Sequence, residues 1–187
     1  MAQKKILVDT NSYLRMAENI HPLLFTIFGK DEYCLYVLPE LNKELNNNKF
    51  QSKFPWVHEA DFVGNRSKFP TVGRKAKNSI KQTEEYLWDY VLSDLPGPSP
   101  VDVKYIAYSL ELNIPVVTDD QDMIELASVF DAVTMSTIDL LKLMVDCSHI
   151  NLSKIQALCM YWNYNRDYPS NYHRDIKKHF PELLLSA

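Results

Sequence analysis

Three short apolar runs, each ending at a polar or turn-forming residue, dominate the hydrophobic pattern of this chain. Residues 6–8 (Ile-Leu-Val) stop at Asp9, residues 35–38 (Leu-Tyr-Val-Leu) stop at Pro39, and residues 115–117 (Pro-Val-Val) stop at Thr118. Continuous apolar runs of this length are typical of parallel strands that are buried on both faces of a sheet. Residues 132–135 (Ala-Val-Thr-Met) predict a last short strand.

Helical patterns separate these strands. We predict helices over residues 12–28, 39–46, 75–93, 100–112, 123–130 and 137–145, and a mostly helical tail from residue 151. Strands that alternate with helices indicate an α/β fold. We therefore expect a three-layer α/β/α sandwich with a central, mainly parallel sheet, formed by residues 1–187 as a single domain.

Two parts of the chain depart from this rhythm. The first is a basic insertion at about residues 46–100, which includes a stretch rich in Phe, Lys and Pro at residues 49–73 and a Pro-rich loop at residues 94–100. The second is a C-terminal helical extension at about residues 148–187. The insertion has too little apolar content to fold alone, so we expect it to belong to the same domain.

The charge is distributed unevenly along the chain. The formal net charge is −4, yet residues 49–81 carry eight basic residues against two acidic ones, so this stretch is +6 and the remainder is −10. A basic stretch beside an acidic body is typical of a surface that binds a polyanion, although a well-solvated loop gives the same count. The candidate nucleic-acid-binding residues are Lys49, Lys53, Arg66, Lys68, Arg74, Lys75, Lys77 and Lys81.

Aromatic residues lie between these basic residues. They are Phe50, Phe54, Trp56, Phe62 and Phe69. Aromatic rings can stack on unpaired bases while lysines follow the phosphate backbone. The alternative, which we favour, is that they anchor the insertion to the rest of the domain.

Other features narrow the class of protein. No run of eighteen apolar residues is present, and the first residues lack the pattern of a signal peptide, so we expect a cytoplasmic protein without a membrane partner. The three cysteines are widely spaced, without a Cys-x-x-Cys pair, and are expected to be reduced rather than zinc ligands.

Acidic residues follow two of the predicted strands. Asp9 follows the first strand, and Asp119, Asp120 and Asp122 follow the strand at residues 115–117. Ligands of open parallel sheets bind at the carboxyl ends of the strands. Three carboxylates within four residues repel one another unless a cation is present. Oxygen ligands without histidine or cysteine favour Mg²⁺ or Mn²⁺, ions that suit phosphodiester hydrolysis.

Each acid also has a simpler structural interpretation. Asp9 is a plausible helix N-cap, and Asp102 fits a capping box behind Ser99 and Pro100. Glu44 borders the apolar face of a short helix, where a carboxylate is costly without a partner. Glu40, one turn earlier, is explained by the helix dipole alone.

Taken together, these segments resemble a PIN domain, a nuclease fold of bacterial ribonuclease toxins and RNA-processing enzymes. The resemblance covers most of residues 4–145 and depends on four pieces in the expected order. They are residues 6–11 (Ile-Leu-Val-Asp-Thr-Asn), residues 37–45 around Glu44, residues 101–112 beginning Val-Asp, and residues 116–122 (Val-Val-Thr-Asp-Asp-Gln-Asp).

The resemblance implies a set of metal ligands. Asp9, Glu44, Asp102 and Asp120 would hold one or two Mg²⁺ or Mn²⁺ ions, with Asp122 as an auxiliary ligand. Asn11 and Thr118 would form hydrogen bonds within the site. Asp119 stands where many family members have asparagine, which leaves open whether Asp119 or Asp120 faces the metal.

The function implied is a metal-dependent endoribonuclease, including the toxin type with a partner antitoxin protein. RNA as the substrate rests on the resemblance, and a homodimer is left open. A second hypothesis is a catalytically weak PIN-like module that binds RNA or protein. A third, an α/β phosphatase or Toprim-like phosphotransfer enzyme, lacks support because Asp9 has no second aspartate two residues later.

Overall fold

A computed structural model of the chain describes residues 3–46, 52–69 and 71–184. Within them, four strands form one sheet in the order β2-β1-β3-β4: β1 Lys4–Val8, β2 Tyr33–Tyr36, β3 Val116–Val117 and β4 Thr134–Met135. All three pairings are parallel, and Leu7 pairs with both Tyr36 and Val116. The prediction of an α/β fold with a parallel sheet is confirmed.

Helices connect and follow the strands. Their bounds are α1 Thr10–Met16, α2 Glu40–Leu45, α3 Ala60–Arg66, α4 Arg74–Asp94, α5 Pro100–Leu112, α6 Gln121–Val129, α7 Thr137–Asp146, α8 Leu152–Asn165 and α9 Tyr172–His179. Short 3-10 helices lie at Pro55–His58 and Pro181–Leu184.

The sheet has a hydrophobic core on each face. Successive residues of a strand point to opposite faces, so Ile6 and Val8 join one core while Leu7 joins the other. Helices α1, α2, α7, α8 and α9 contribute to the first core, and α4, α5 and α6 contribute to the second. Helices thus cover both faces, as in an α/β sandwich.

The first predicted helix was too long. The sequence pattern predicted a helix over residues 12–28, but α1 ends at Met16 and the chain continues through turns to β2. Pro22 lies in the missing part, and a proline inside a helix removes an amide donor and clashes with the preceding turn. The other predicted helices agree with the structure to within two residues at most of their ends.

The aromatic residues of the predicted insertion pack inward. Phe54, Trp56 and Phe62 are all buried in the first core, whereas Phe69 is exposed. The anchoring interpretation therefore holds for these three residues, and Phe50 lies outside the described residues. Helix α4 also belongs to a core, since Ile80, Leu87 and Val91 pack with α5.

The tail likewise forms part of the first core. Trp162 of α8 is fully buried, and its indole Nε1 donates to the backbone carbonyl of Arg15 at 2.8 Å. Ile155, Leu158 and Phe180 accompany it. The described helices include none that is long and apolar enough to cross a membrane, and Cys34, Cys147 and Cys159 form no disulfide.

Candidate metal site

Four acidic side chains from distant parts of the chain line one cleft beside the carboxyl ends of β1 and β3. They are the predicted residues Asp9, Glu44, Asp102 and Asp120, and the cleft has a volume of about 120 Å³. Its remaining lining residues are Thr10, Asn11, Val101 and Tyr105. None of these lining residues is basic.

Asp9 is held in one orientation by two short hydrogen bonds. Its Oδ1 accepts from the backbone amide of Ser12 at 2.6 Å as the N-cap of α1, and its Oδ2 accepts from the hydroxyl of Thr118 at 2.6 Å. Burial raises the pKa of Asp9 to about 6, although both hydrogen bonds oppose the shift. Asp9 is therefore both a helix cap and a buried carboxylate that forms no ion pair with a basic residue in the described ranges.

Glu44 enters the cleft from α2. Leu41 and Leu45 of this helix pack into the core, which leaves Glu44 at the border of the apolar face, and the Thr10 hydroxyl donates to Glu44 Oε2. Burial raises the pKa of Glu44, and the negative charge of Asp102 adds to the shift. Glu40 instead forms an ion pair with Lys104 at 2.6 Å.

Asp102 has two roles. Its Oδ2 accepts from the backbone amide of Ser99 at 2.7 Å, and its own amide donates to the Ser99 hydroxyl at 3.3 Å, which completes a capping box at the start of α5. The same side chain lines the cleft. Burial raises the pKa of Asp102, as do the nearby charges of Asp120 and Asp122.

Asp119 and Asp120 point in opposite directions. Asp120 lines the cleft while its Oδ1 caps α6, accepting from the amides of Asp122 at 3.0 Å and Met123 at 3.2 Å. Asp119 is buried away from the cleft, where its carboxylate accepts hydrogen bonds from the Thr137 hydroxyl at 2.5 Å and from the Arg15 guanidinium at 3.3 Å. Of the two, Asp120 is therefore the one that faces the cleft.

Arg15 links Asp119 to the tail of the chain. Besides Asp119, its guanidinium contacts Asp167 at 3.0 Å, and Asp167 also pairs with Lys53 at 2.6 Å. Burial raises the pKa of Asp119, while Thr137 and Arg15 oppose the shift. This network supports the backbone that carries Thr118 and Asp120.

Asp122 is exposed and lies near the cleft without lining it. The loop before α5 passes close to its carboxyl group: a Cβ at Gly97 would lie 2.9 Å from Asp122 Cγ. This approach requires a glycine or a displaced aspartate. Asp122 is near enough to Asp102 to contribute to its raised pKa.

The predicted basic residues occupy different environments. Arg66 is only 4% exposed and donates from Nε to Asn42 at 2.8 Å, so burial makes it unsuitable as a surface contact for nucleic acid. Lys53 is engaged by Asp167. Lys49 lies outside the described residues. The exposed members are Lys53, Lys68, Arg74, Lys75, Lys77 and Lys81.

Two polar cleft residues were not predicted from the sequence. Thr10 holds Glu44, and Tyr105 is fully buried at the base of α5, where its hydroxyl accepts from the amide of Leu38 at 3.2 Å. The sequence does contain a signal for Tyr105. It lies three residues after Asp102, a predicted metal ligand, and residues three apart on a helix share a face.

The chemistry of these side chains fits a hard divalent cation. Four carboxylates around one small cleft provide the oxygen ligands that Mg²⁺ and Mn²⁺ prefer. In the parts of the chain that the structure describes, no three acidic, histidine or cysteine side chains converge into a ready-made metal site. Carboxylates repel one another without a cation between them, and each of these is restrained by its own hydrogen bonds.

No family model, curated protein or solved structure matches this chain.

Proposed function

We propose that this protein is a metal-dependent endoribonuclease of the PIN type that hydrolyses RNA phosphodiester bonds. One observation carries the proposal: Asp9, Glu44, Asp102 and Asp120 come from four separate segments yet line a single cleft, and none of the described residues that line it is basic. Helix capping explains several of these acids singly, but it does not explain why all four share one cleft. A shared divalent ion explains it.

The four acids would hold one or two Mg²⁺ or Mn²⁺ ions. When bound, such ions activate water and neutralise the phosphate oxygens of a phosphodiester. Ser12 and Thr118 fix the Asp9 carboxylate, and Thr10 fixes Glu44. These ligands therefore lose little conformational freedom when an ion binds. Burial makes the unpaired charges costly, which favours a cation over an empty cleft.

The substrate and partners rest on the sequence resemblance. The four motifs resemble those of PIN nucleases in their order, with a long insertion between Glu44 and Asp102, and this resemblance favours RNA over DNA. The same resemblance suggests a toxin with a partner antitoxin protein, and a homodimer is compatible with either role.

The test is cleavage of single-stranded RNA by the purified protein with Mn²⁺. We expect cleavage that EDTA abolishes and that Asp9→Asn and Asp120→Asn each reduce by more than about 100-fold, beyond the usual cost of losing a supporting residue. Asp131→Asn is the matched control, because Asp131 is exposed, does not line the cleft and has a left-handed backbone that asparagine tolerates. Equal cleavage by all variants would refute the proposal.

A second candidate is a PIN-like module that binds without cutting. It is favoured by the capping roles of Asp102 and Asp120, which accept backbone amides at the starts of α5 and α6 and would be retained for stability alone. Calorimetric titration with Mn²⁺ separates the two functions. A nuclease should bind the ion at a site that Asp9→Asn removes, whereas a module should show no such site.

A further inference from the structure

A groove lies between α4 and α5, apart from the acidic cleft. Its volume is about 660 Å³, within the range of ligand-binding pockets, whereas the acidic cleft has only about 120 Å³. The cleft has room for ions and a phosphate group but not for the nucleotides on either side. Those nucleotides need a neighbouring surface.

Helix α5 forms a wall of both the groove and the cleft. Pro100, Val103 and Lys104 line the groove, while Val101, Asp102 and Tyr105 line the cleft. The two spaces are therefore separated by the first turns of one helix, which is about 10 Å across with its side chains. A strand held in the cleft passes the groove within one or two nucleotides.

The interior of the groove offers a surface for a flat, apolar ring. Trp88 and Tyr108 are half-buried and line it together with Ile80. Aromatic side chains stack on unpaired bases of any sequence. Trp88 lines the groove and has no ring partner among the described aromatic pairs.

The charges of the groove are divided along α4. Lys77 and Lys81 lie towards the start of the helix, and Glu84 and Glu85 lie one turn later. Lys77 forms no ion pair with any residue in the described ranges, and Lys81 contacts Glu85 only at 3.5 Å with both side chains largely exposed. The cationic end can accept a phosphate, whereas the acidic end cannot.

We propose that the groove between α4 and α5 binds one unpaired nucleotide of the RNA strand. Its base lies against Trp88 and Tyr108, and its phosphate lies near Lys77 and Lys81. The inference rests on the proposed nuclease function and adds a second site, beyond the cleft, at which the protein contacts the RNA. The alternative occupant, a second copy of this chain, is addressed by the test below.

Tryptophan fluorescence provides a direct measurement. Trp56 is 6% exposed and Trp162 is fully buried, so quenching by a ligand reports on Trp88. The probe is a ten-residue oligoadenylate in EDTA, which binds without being cut. We expect it to quench the fluorescence. Because Trp88→Leu removes the reporter, binding to that variant is measured by the anisotropy of the same oligoadenylate carrying a fluorescein label, and we expect it to be about 10-fold weaker, the effect of losing one stacked base.

Two double variants on one helix supply the matched control. Lys77→Ala/Lys81→Ala and Arg74→Ala/Lys75→Ala remove the same charge from α4, but only the first pair lines the groove. We expect the first pair to weaken oligoadenylate binding several-fold more than the second. Equal weakening by both pairs, or full affinity in Trp88→Leu, would overturn the proposal.

The experiments can refute the proposed role of the groove separately from the proposed nuclease function. Quenching that depends on Lys77 and Lys81 in a protein that never cleaves RNA supports the groove and refutes the nuclease. Cleavage without quenching refutes the groove alone. A dimer in sedimentation that Trp88→Leu converts to a monomer, without quenching by RNA, would also overturn the proposal.

Discussion

At the scale of single residues, one hydroxyl supports two of the four acids. Thr118 is buried, donates to Asp9 Oδ2 at 2.6 Å and accepts from the backbone amide of Asp120 at 3.1 Å. It therefore fixes the orientation of one carboxylate and the backbone of the other. Its position at the end of β3 makes this possible.

We predict that Thr118→Val lowers the rate of RNA cleavage by about 10- to 100-fold, the usual cost of losing a residue that orients a metal ligand. Valine has the shape of threonine but leaves Asp9 Oδ2 and the Asp120 amide without a partner. Initial rates with Mn²⁺ measure the effect, and circular dichroism monitors the fold. Thr118→Ser, which keeps the hydroxyl, should retain most of the activity; full activity in Thr118→Val would contradict the assigned role.

The sequence could predict some of these residues and not others. Asp9, Asp102 and Asp120 are marked by strand ends and by cap patterns, which are local signals. The choice between Asp119 and Asp120 is not local. It depends on Arg15, 104 residues away from Asp119, and on Thr137, 18 residues away.

At the scale of secondary-structure elements, the hydrophobic pattern was a good guide where an element has a clear period or a cap. Helix α5 has the predicted bounds because Ser99 and Pro100 mark its start. The predicted first helix is too long because the apolar spacing continues beyond Pro22, although α1 itself ends at Met16. The packing of α8 against α1 joins segments far apart in the chain, so no periodicity reveals it.

The packing of α8 can be tested with two neighbouring aromatic residues. We predict that Trp162→Ala lowers the free energy of unfolding by about 3–5 kcal/mol, because it leaves a cavity in the first core. Tyr164→Ala, at a side chain that is 88% exposed, should change it by less than about 0.5 kcal/mol. Urea denaturation measures both. Equal effects would mean that the tail is not part of the core.

At the scale of the whole molecule, the protein keeps a group of carboxylates in conditions that disfavour their charge. The pKa values of Asp9, Glu44 and Asp102 are all raised, first of all by burial. A raised carboxyl pKa means that the folded state binds its proton more tightly than the unfolded chain does. Deprotonation of this group therefore costs stability.

This cost predicts a pH dependence in the metal-free protein. The pKa of Asp9 is about 6 against an ordinary 3.8. Its contribution to the free energy of unfolding is therefore present below about pH 4 and lost as the pH rises to about 6, by up to about 3 kcal/mol. The quantity to measure is the difference in the free energy of unfolding between the natural protein and Asp9→Asn across this pH range.

The difference is needed because Asp139 and Asp167 have lowered pKa values and contribute with the opposite sign. Saturating Mn²⁺ should restore stability at the upper end of the range, since a ligand that binds the folded state stabilises it. A difference that is flat from pH 4 to 6 would show that Asp9 is not buried as described.

The inward anchoring of Asp119 has a consequence for how β3 is aligned. This strand has two residues, too few to define its pairing firmly, and a slip of one position turns every side chain to the opposite face. Such a slip would carry Asp120 into the interior and present Asp119 to solvent. Because Arg15 and Thr137 bind the Asp119 side chain, they fix the alignment of β3. They thereby determine which of the two adjacent aspartates faces the cleft.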